Sequence, residues 1–328
     1  MFKYAIWGGL MVLSLFAAAQ NNDKNPATTD IPKAFENVKV ERTKVPFKNP
    51  DFEIRNEGGH LQGVQYYTNG ITEYMIVTGS SDSSAYYAMI DIADTVQKVV
   101  RYNVLMHTPL DHAGGFQVVG DFLVVGVEDN LDKNSSKILF YNISNPGVSD
   151  LAPAITIDRN GEFKTKTAGA VGITFYDTQH LLAVATWDAN TIDFYWSNAK
   201  PVSDPNCKFE LIQTYTPTRG EKDEWINKLW PSYQSINLFT GADGKIYMMA
   251  FFRSKDGNFV DLFEVAFSQE TLKFTLKKTA SKQFYVADGN NFRNGGGVRL
   301  VAPDELNIYA IPRNLGKKKT VIDWFDKK

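Results

Sequence analysis

The chain has 328 residues, 43% hydrophobic and 22% charged, with 35 basic against 37 acidic side chains and a formal net charge of −2 at pH 7. That near balance excludes the basic footprint of a nucleic-acid binder and electrostatic attachment to an anionic membrane. A single cysteine, Cys207, excludes an intrachain disulfide, so the fold must rest on its core, which a chain of this size can supply.

Lys3 is followed by an apolar stretch over residues 5–19 and then by Gln20-Asn21-Asn22. A positive start, a short apolar core and an Ala17-x-Ala19 exit form the pattern of a secretory signal, so the mature chain is expected to begin at Gln20. The apolar core is shorter than the ~20 residues a bilayer requires, and no later segment is long enough to span. A periplasmic or secreted protein is expected, with no membrane span once residues 1–19 are removed. Residues 20–33 are polar, contain Pro26 and Pro32, and read as a flexible leader to a single domain over 34–328.

Within that domain a small, an apolar and a polar residue recur as a triplet. The copies are Gly63-Val64-Gln65, Gly115-Phe116-Gln117, Gly172-Ile173-Thr174, Ser235-Ile236-Asn237 and Gly297-Val298-Arg299, spaced by 52, 57, 63 and 62 residues. Each opens a strand. Second strands are expected over 74–81, 122–129, 181–188, 246–253 and 306–313, and third strands over 87–92, 138–143, 191–196, 259–265 and 320–325. Fourth strands follow the first four repeats over 96–105, 154–158, 209–215 and 272–277. Repeats of roughly 50–60 residues built from short strands predict a β-propeller: all-β, five-bladed, with a six-bladed ring as the alternative if the N-terminal residues supply a blade.

The fifth repeat lacks a fourth strand, and an unpaired edge there invites aggregation. The segment 38–45, or else 52–55, is expected to fill the gap and close the ring. The longest insertion, 217–231, contains a candidate helix over 221–229 with Trp225 and Trp230 in or beside it, placed either to cap the fourth blade or to stack on a ligand.

In a blade, the start of the first strand and the end of the second lie together near the axis. Three residues before each triplet stand His60, His112, Gly169, Ser232 and Asn294, and the second strands end with Ser81, Asp129, Asp188, Arg253 and Arg313. With Glu128 beside Asp129, and Arg293 just before the fifth triplet, the channel mouth is expected to carry imidazole and carboxylate on one side and guanidinium on the other. Such a mouth suits an anionic or sugar-like ligand, because Arg forks match carboxylate and phosphate. It equally suits a salt-bridge network holding the blades. The triplet glycines are expected to permit close approach of the inner strands, and Gln65, Gln117, Thr174, Asn237 and Arg299 to bond neighbouring blades or trapped water.

The sequence requires no cofactor. An axial metal would take His60, His112 and Asp129, or Asp188 in its place, in no recognised local motif. Oxygen ligands also cluster at Asp129, Asn130, Asp132 and Asn134, but the loop lacks the Gly and closing Glu of a calcium site. Paired carboxylates, Asp129 and Asp188, would suit acid and base roles on a glycosidic bond, with His60 and His112 as proton carriers. Five-bladed glycosidases place an acidic residue on the innermost strand of the first blade, where this chain has His60. No Gly-x-Ser-x-Gly elbow occurs, and Cys207, among Asp204, Pro205 and Lys208, reads as an incidental thiol.

The segments His112-Ala113-Gly114-Gly115-Phe116-Gln117 and Phe122-Leu123-Val124-Val125-Gly126-Val127-Glu128-Asp129 resemble exported bacterial propeller proteins loosely related to the LVIVD repeat family. The resemblance is best over the first two blades, implies the fold and an envelope location, and transfers no catalytic residue. The sequence thus predicts a monomeric exported propeller binding a small polar ligand, a glycan or a partner protein without catalysis. A hydrolase of a glycan or anionic ester is the alternative, and a structural platform the third reading.

Overall fold

The computed structural model of the chain describes residues 29–47, 60–92, 98–148, 151–313 and 320–327. The expected signal, most of the leader and the alternative closing segment 52–55 lie outside them. Among the described residues no helix is long and apolar enough to cross a membrane.

The fold is β-propeller-like, a set of small antiparallel sheets. Unit one is β2 (Leu61–Thr68), β3 (Glu73–Ser80), β4 (Ser84–Asp91) and β5 (Lys98–His107). Unit two is β6 (His112–Val119), β7 (Phe122–Glu128), β8 (Ser135–Asn142) and β9 (Ile155–Asn160). Unit three is β10 (Ala170–Tyr176), β11 (Gln179–Ala185), β12 (Ile192–Ser197) and β13 (Phe209–Tyr215). Unit four is β14 (Ser235–Thr240), β15 (Ile246–Ser254), β16 (Gly257–Ser268) and β17 (Lys273–Phe284). Unit five combines β18 (Asn290–Ala302), β19 (Glu305–Pro312) and β20 (Thr320–Phe325) with the N-terminal β1 (Thr43–Phe47).

The closing strand therefore comes from the N terminus, a few residues later than 38–45: Thr43 to Phe47 pair antiparallel with β20, and Val38 adds a bridge to Lys327. Residues 29–33, expected to be leader, are part of the fold. Thr29 donates to the Ala302 carbonyl, and the helix α1 (Ile31–Asn37), capped by Asp30, buries Ile31, Ala34 and Phe35 against units four and five.

The units form a ring because each buries its faces against its neighbours. Five apolar clusters occupy five seams, between units one and two, two and three, three and four, four and five, and five and one. The inner strands β2, β6, β10, β14 and β18 neighbour one another in chain order, and β18 returns to β2. β3 and β7 are buried on both faces, whereas the outermost β17 alternates buried and exposed residues over most of its length, as a half-solvated strand must. The inner strands approach so closely that a Cβ on Gly297 would stand 1.8 Å from the Val64 carbonyl oxygen across the seam of units five and one.

The triplets' polar members fill the axis. Gln65 Nε2 donates to the Phe116 carbonyl and, across the ring, to Asn237 Oδ1, each at 3.1 Å. Gln117 donates to the Leu238 carbonyl and accepts from the Ile173 and Leu238 amides. Thr174 bonds Thr240, and Arg299 lies over the Tyr66 ring. The axis is crossed by hydrogen bonds, so the opening above it has a floor.

The insertion after β13 forms a shorter helix than expected, α2 (Arg219–Asp223), held by a capping box between Thr218 and Glu221. Trp225 and Trp230 are framework. Their indole N–H groups donate to the Leu276 and Ala189 carbonyls, and both rings pack on Phe263. Cys207 is buried in the seam of units two and three.

Candidate functional site

At one end of the axis a cavity of about 690 Å³ opens over this floor. Each unit contributes the residue three places before its triplet: His60, His112, Gly169, Ser232 and Asn294 all line it. From the second strands and the turns after them come Asp188, Arg253 and Arg313, and Glu128 and Arg293 complete the charged set. Bulges aim several of these groups. The β2–β3 register slips between Leu61 and Gly63, the β6–β7 register between Ala113 and Phe116, and the β18–β19 register between Asn291 and Gly296. An extra residue in one strand breaks the inside–outside alternation and turns side chains toward the mouth.

The acidic wall is a hydrogen-bonded chain. Buried His112 faces Glu128 Oε1 through Nδ1 at 3.1 Å, and Glu128 Oε2 accepts the Ala168 amide at 2.7 Å. The His112 Nε2 lies 3.0 Å from the Gln62 amide nitrogen, which also contacts the Nε2 of His60. The Gln62 amide thus links the two imidazoles through their Nε2 atoms. Burial first, then the neighbouring His112, Arg313 and Arg293, push the His60 pKa down to about 4.

Asp188 occupies a separate part of the wall. The second strand of unit three ends at Ala185, and a 3₁₀ turn (Trp187–Ala189) follows in which Asp188 adopts left-handed backbone (φ 56°, ψ 20°), as does Ala189 (φ 51°). Such conformations cost of order 1 kcal/mol or more for residues other than glycine and gather at functional sites. The turn is held by Thr167 Oγ1 on the Trp187 amide and by Trp230 on the Ala189 carbonyl. Asp188 Oδ1 accepts from Ser232 Oγ at 2.7 Å, and Gln234 donates to the same hydroxyl. The half-buried Trp187 ring lines the cavity, with Lys133 Nζ 4.4 Å from its centroid.

Arg253, Arg293 and Arg313 are exposed at the opposite rim, supplied by units four and five. Among the described residues neither Arg253 nor Arg293 forms an ion pair. The alternative of a salt-bridge network at the mouth is therefore not what these two residues build. The fully buried pairs, Arg159 with Asp193 and Lys278 with Asp261, lie elsewhere.

Asp129 is placed differently from expectation. Its Oδ1 accepts the Leu131 and Asp132 amides at 2.8 and 3.0 Å, so the carboxylate caps its own turn and is not among the residues lining the cavity. The pairing of Asp129 with Asp188 is thus not formed. Ser81 likewise bonds Ser84 instead of lining the mouth. His60 and His112 do converge, with ring centroids 5.4 Å apart, but Asp129 does not join them, and no three His, Cys, Asp or Glu side chains cluster as metal ligands among the described residues. Gln62, Trp187 and Gln234 also line the mouth, beyond the residues that the repeat pattern points to. An Asp following a Trp at a strand end was the one signal for the turn, and the bulge that aims Gln62 leaves no local trace.

Neither a protein-family model nor a curated protein matches this chain. Among solved structures, a GH43_1 enzyme from Xanthomonas citri, complexed with xylose, is similar over 89% of this chain and 91% of its own at 6% identity and a TM-score of 0.48. A GH32 beta-fructofuranosidase from Bombyx mori is similar over 89% of this chain and 64% of its own at 10% identity and a TM-score of 0.48. A family 117 glycoside hydrolase from Zobellia galactanivorans is similar over 88% and 91% at 10% identity and a TM-score of 0.46. These likenesses concern the course of the chain and carry no residue across.

Proposed function

We propose that this chain is an exported, five-bladed β-propeller whose channel mouth binds a saccharide. The observation that carries this reading is the lining of the floored cavity: the planar amides Asn130, Gln234 and Asn291, the Asp188 carboxylate and the Trp187 ring line one open cup. Planar amide and carboxylate groups pair with vicinal hydroxyls as donor and acceptor together, and an indole face covers the apolar face of a sugar ring. A recessed, floored site favours a small ligand over a protein surface. Export rests on Lys3, the apolar segment and Ala17-x-Ala19.

Hydrolysis of a glycosidic bond is the second reading, favoured by one observation. The buried Glu128–His112 pair and the exposed Asp188 carboxylate share one cavity, which offers a relay and a carboxylate to a bound substrate. Against it, both Glu128 oxygens are taken within the protein, and His112 Nε2 is capped by Gln62.

The test is calorimetric titration of the mature chain with neutral and acidic oligosaccharides, alongside assay of released reducing ends, for wild type and Asp188→Asn. Binding without turnover is expected. Turnover abolished by Asp188→Asn with binding retained would establish the hydrolase, and no binding by any saccharide would refute the saccharide reading altogether.

A further inference from the structure

The charges at the mouth do not cancel. Glu128 is 1% exposed and spends both oxygens on His112 and the Ala168 amide, so it presents no acceptor to a ligand. Asp188 is then the lining carboxylate left facing the cavity, against three guanidiniums. Arg253 and Arg293 are exposed without an ion pair among the described residues; Arg313 lines the same rim but is itself partnered. All three come from units four and five, so the positive groups share one rim. The whole chain is slightly acidic at −2, so this cup opposes the sign of the molecule that carries it.

Resting on the saccharide reading above, we propose that the ligand is an anionic saccharide, its carboxylate or sulfate held by Arg253 and Arg293 with Arg313 beside them, and its hydroxyls by Asp188 and the amides opposite. Guanidinium forks bind planar or tetrahedral oxyanions through two parallel N–H bonds, which a neutral hydroxyl does not reward to the same degree. The Asp188 carboxylate repels the anionic group from the far wall, so the two rims fix one orientation. His60 accords with this layout: burial and the cationic rim hold its pKa down to about 4, so at neutral pH it adds no charge between the two halves.

The test titrates the mature chain with trigalacturonate, a sulfated galactose disaccharide and neutral galactotriose at low and moderate salt. At least one of the two acidic sugars is expected to bind about tenfold or more tighter than the neutral one, with affinity falling as salt rises. Whether uronate or sulfate binds better identifies the source of the anion. Arg253→Gln and Arg293→Gln should each weaken the acidic sugar several-fold and leave galactotriose unchanged; both residues are exposed, so folding is not at issue. Equal binding of acidic and neutral sugars, or Arg variants that weaken both alike, overturns the anionic inference and leaves the saccharide reading standing. Failure of all three sugars removes both.

Discussion

Lys278→Met should cost more than any surface change in this protein. The Lys278 and Asp261 side chains are both 0% exposed and meet at 2.7 Å. The ammonium also donates to Asn227 Oδ1 at 3.0 Å and to the Leu229 carbonyl at 2.6 Å, so all three of its protons are used. Asp261 Oδ2 accepts the Tyr233 hydroxyl as well, while Oδ1 is buried without a hydrogen bond. Methionine keeps the length of the stem but removes the ammonium that lies over the Trp225 and Phe263 rings, and it strands the carboxylate. Removing one partner of a buried pair costs about 3–5 kcal/mol. With an unfolding entropy of about 2.1 cal/mol/K per residue, a loss of about 4 kcal/mol lowers Tm by about 6 °C for a chain of this length. The loss should also reach the mouth: the segment released holds Trp230 on the Ala189 carbonyl, and Tyr233 adjoins the Ser232 that bonds Asp188. Calorimetry gives Tm, and hydrogen exchange over residues 186–190 gives the local effect. The double variant Lys278→Met, Asp261→Leu should recover most of the stability, since a well-packed apolar pair replaces a buried ionic one at little cost. A single variant within about 1 kcal/mol of wild type, or a double variant no better than the single, would refute the reasoning.

Gly297→Ala should open the seam between units five and one, because the new methyl would meet backbone that cannot rotate away; a fall in Tm several times that of an exposed Gly→Ala change checks it. His60 titrates at about 4 in the fold against 6.5 unfolded, so the unfolded chain takes up its proton first and stability declines as pH falls through that window; His60→Asn should flatten this part of a Tm–pH profile. Because a protonated His60 adds a cation to the mouth, affinity for a sulfated sugar should rise between pH 6 and 4 in the wild type and not in His60→Asn. Deleting residues 1–47 should leave β20 an open edge and raise aggregation above that of the intact chain, read by light scattering.

Much of the strand plan was legible because short apolar runs between turn residues are a local signal. The segments 209–215 and 320–325 coincide with β13 and β20, and the five positions before the triplets all reach the cavity. What was not legible depends on partners distant in the chain. Asp129 has the same local setting as a mouth residue, but two amides of its own turn outcompete the cavity for its carboxylate. Trp187 and Asp188 were expected at the end of a straight strand; the strand stops at Ala185 and a left-handed turn re-aims them, a conformation held by Thr167 and Trp230 from other segments. Gln62 enters the site through a bulge whose register is set across the β2–β3 pair. Trp225 and Trp230 could equally have faced a ligand until the carbonyls receiving their indoles were known.

The pairing of Thr43 with Trp324 has a temporal side. A strand at 43–47 waits for a partner at 320–325, so no growing chain that stops short of those residues holds a completed ring. Units one to four can gather as they appear, but the last seam forms only once residues 320–325 are available, and closing so long a loop is intrinsically slow. A chain that cannot close early remains threadable for longer, and the N-terminal strand is the latch that ends that interval.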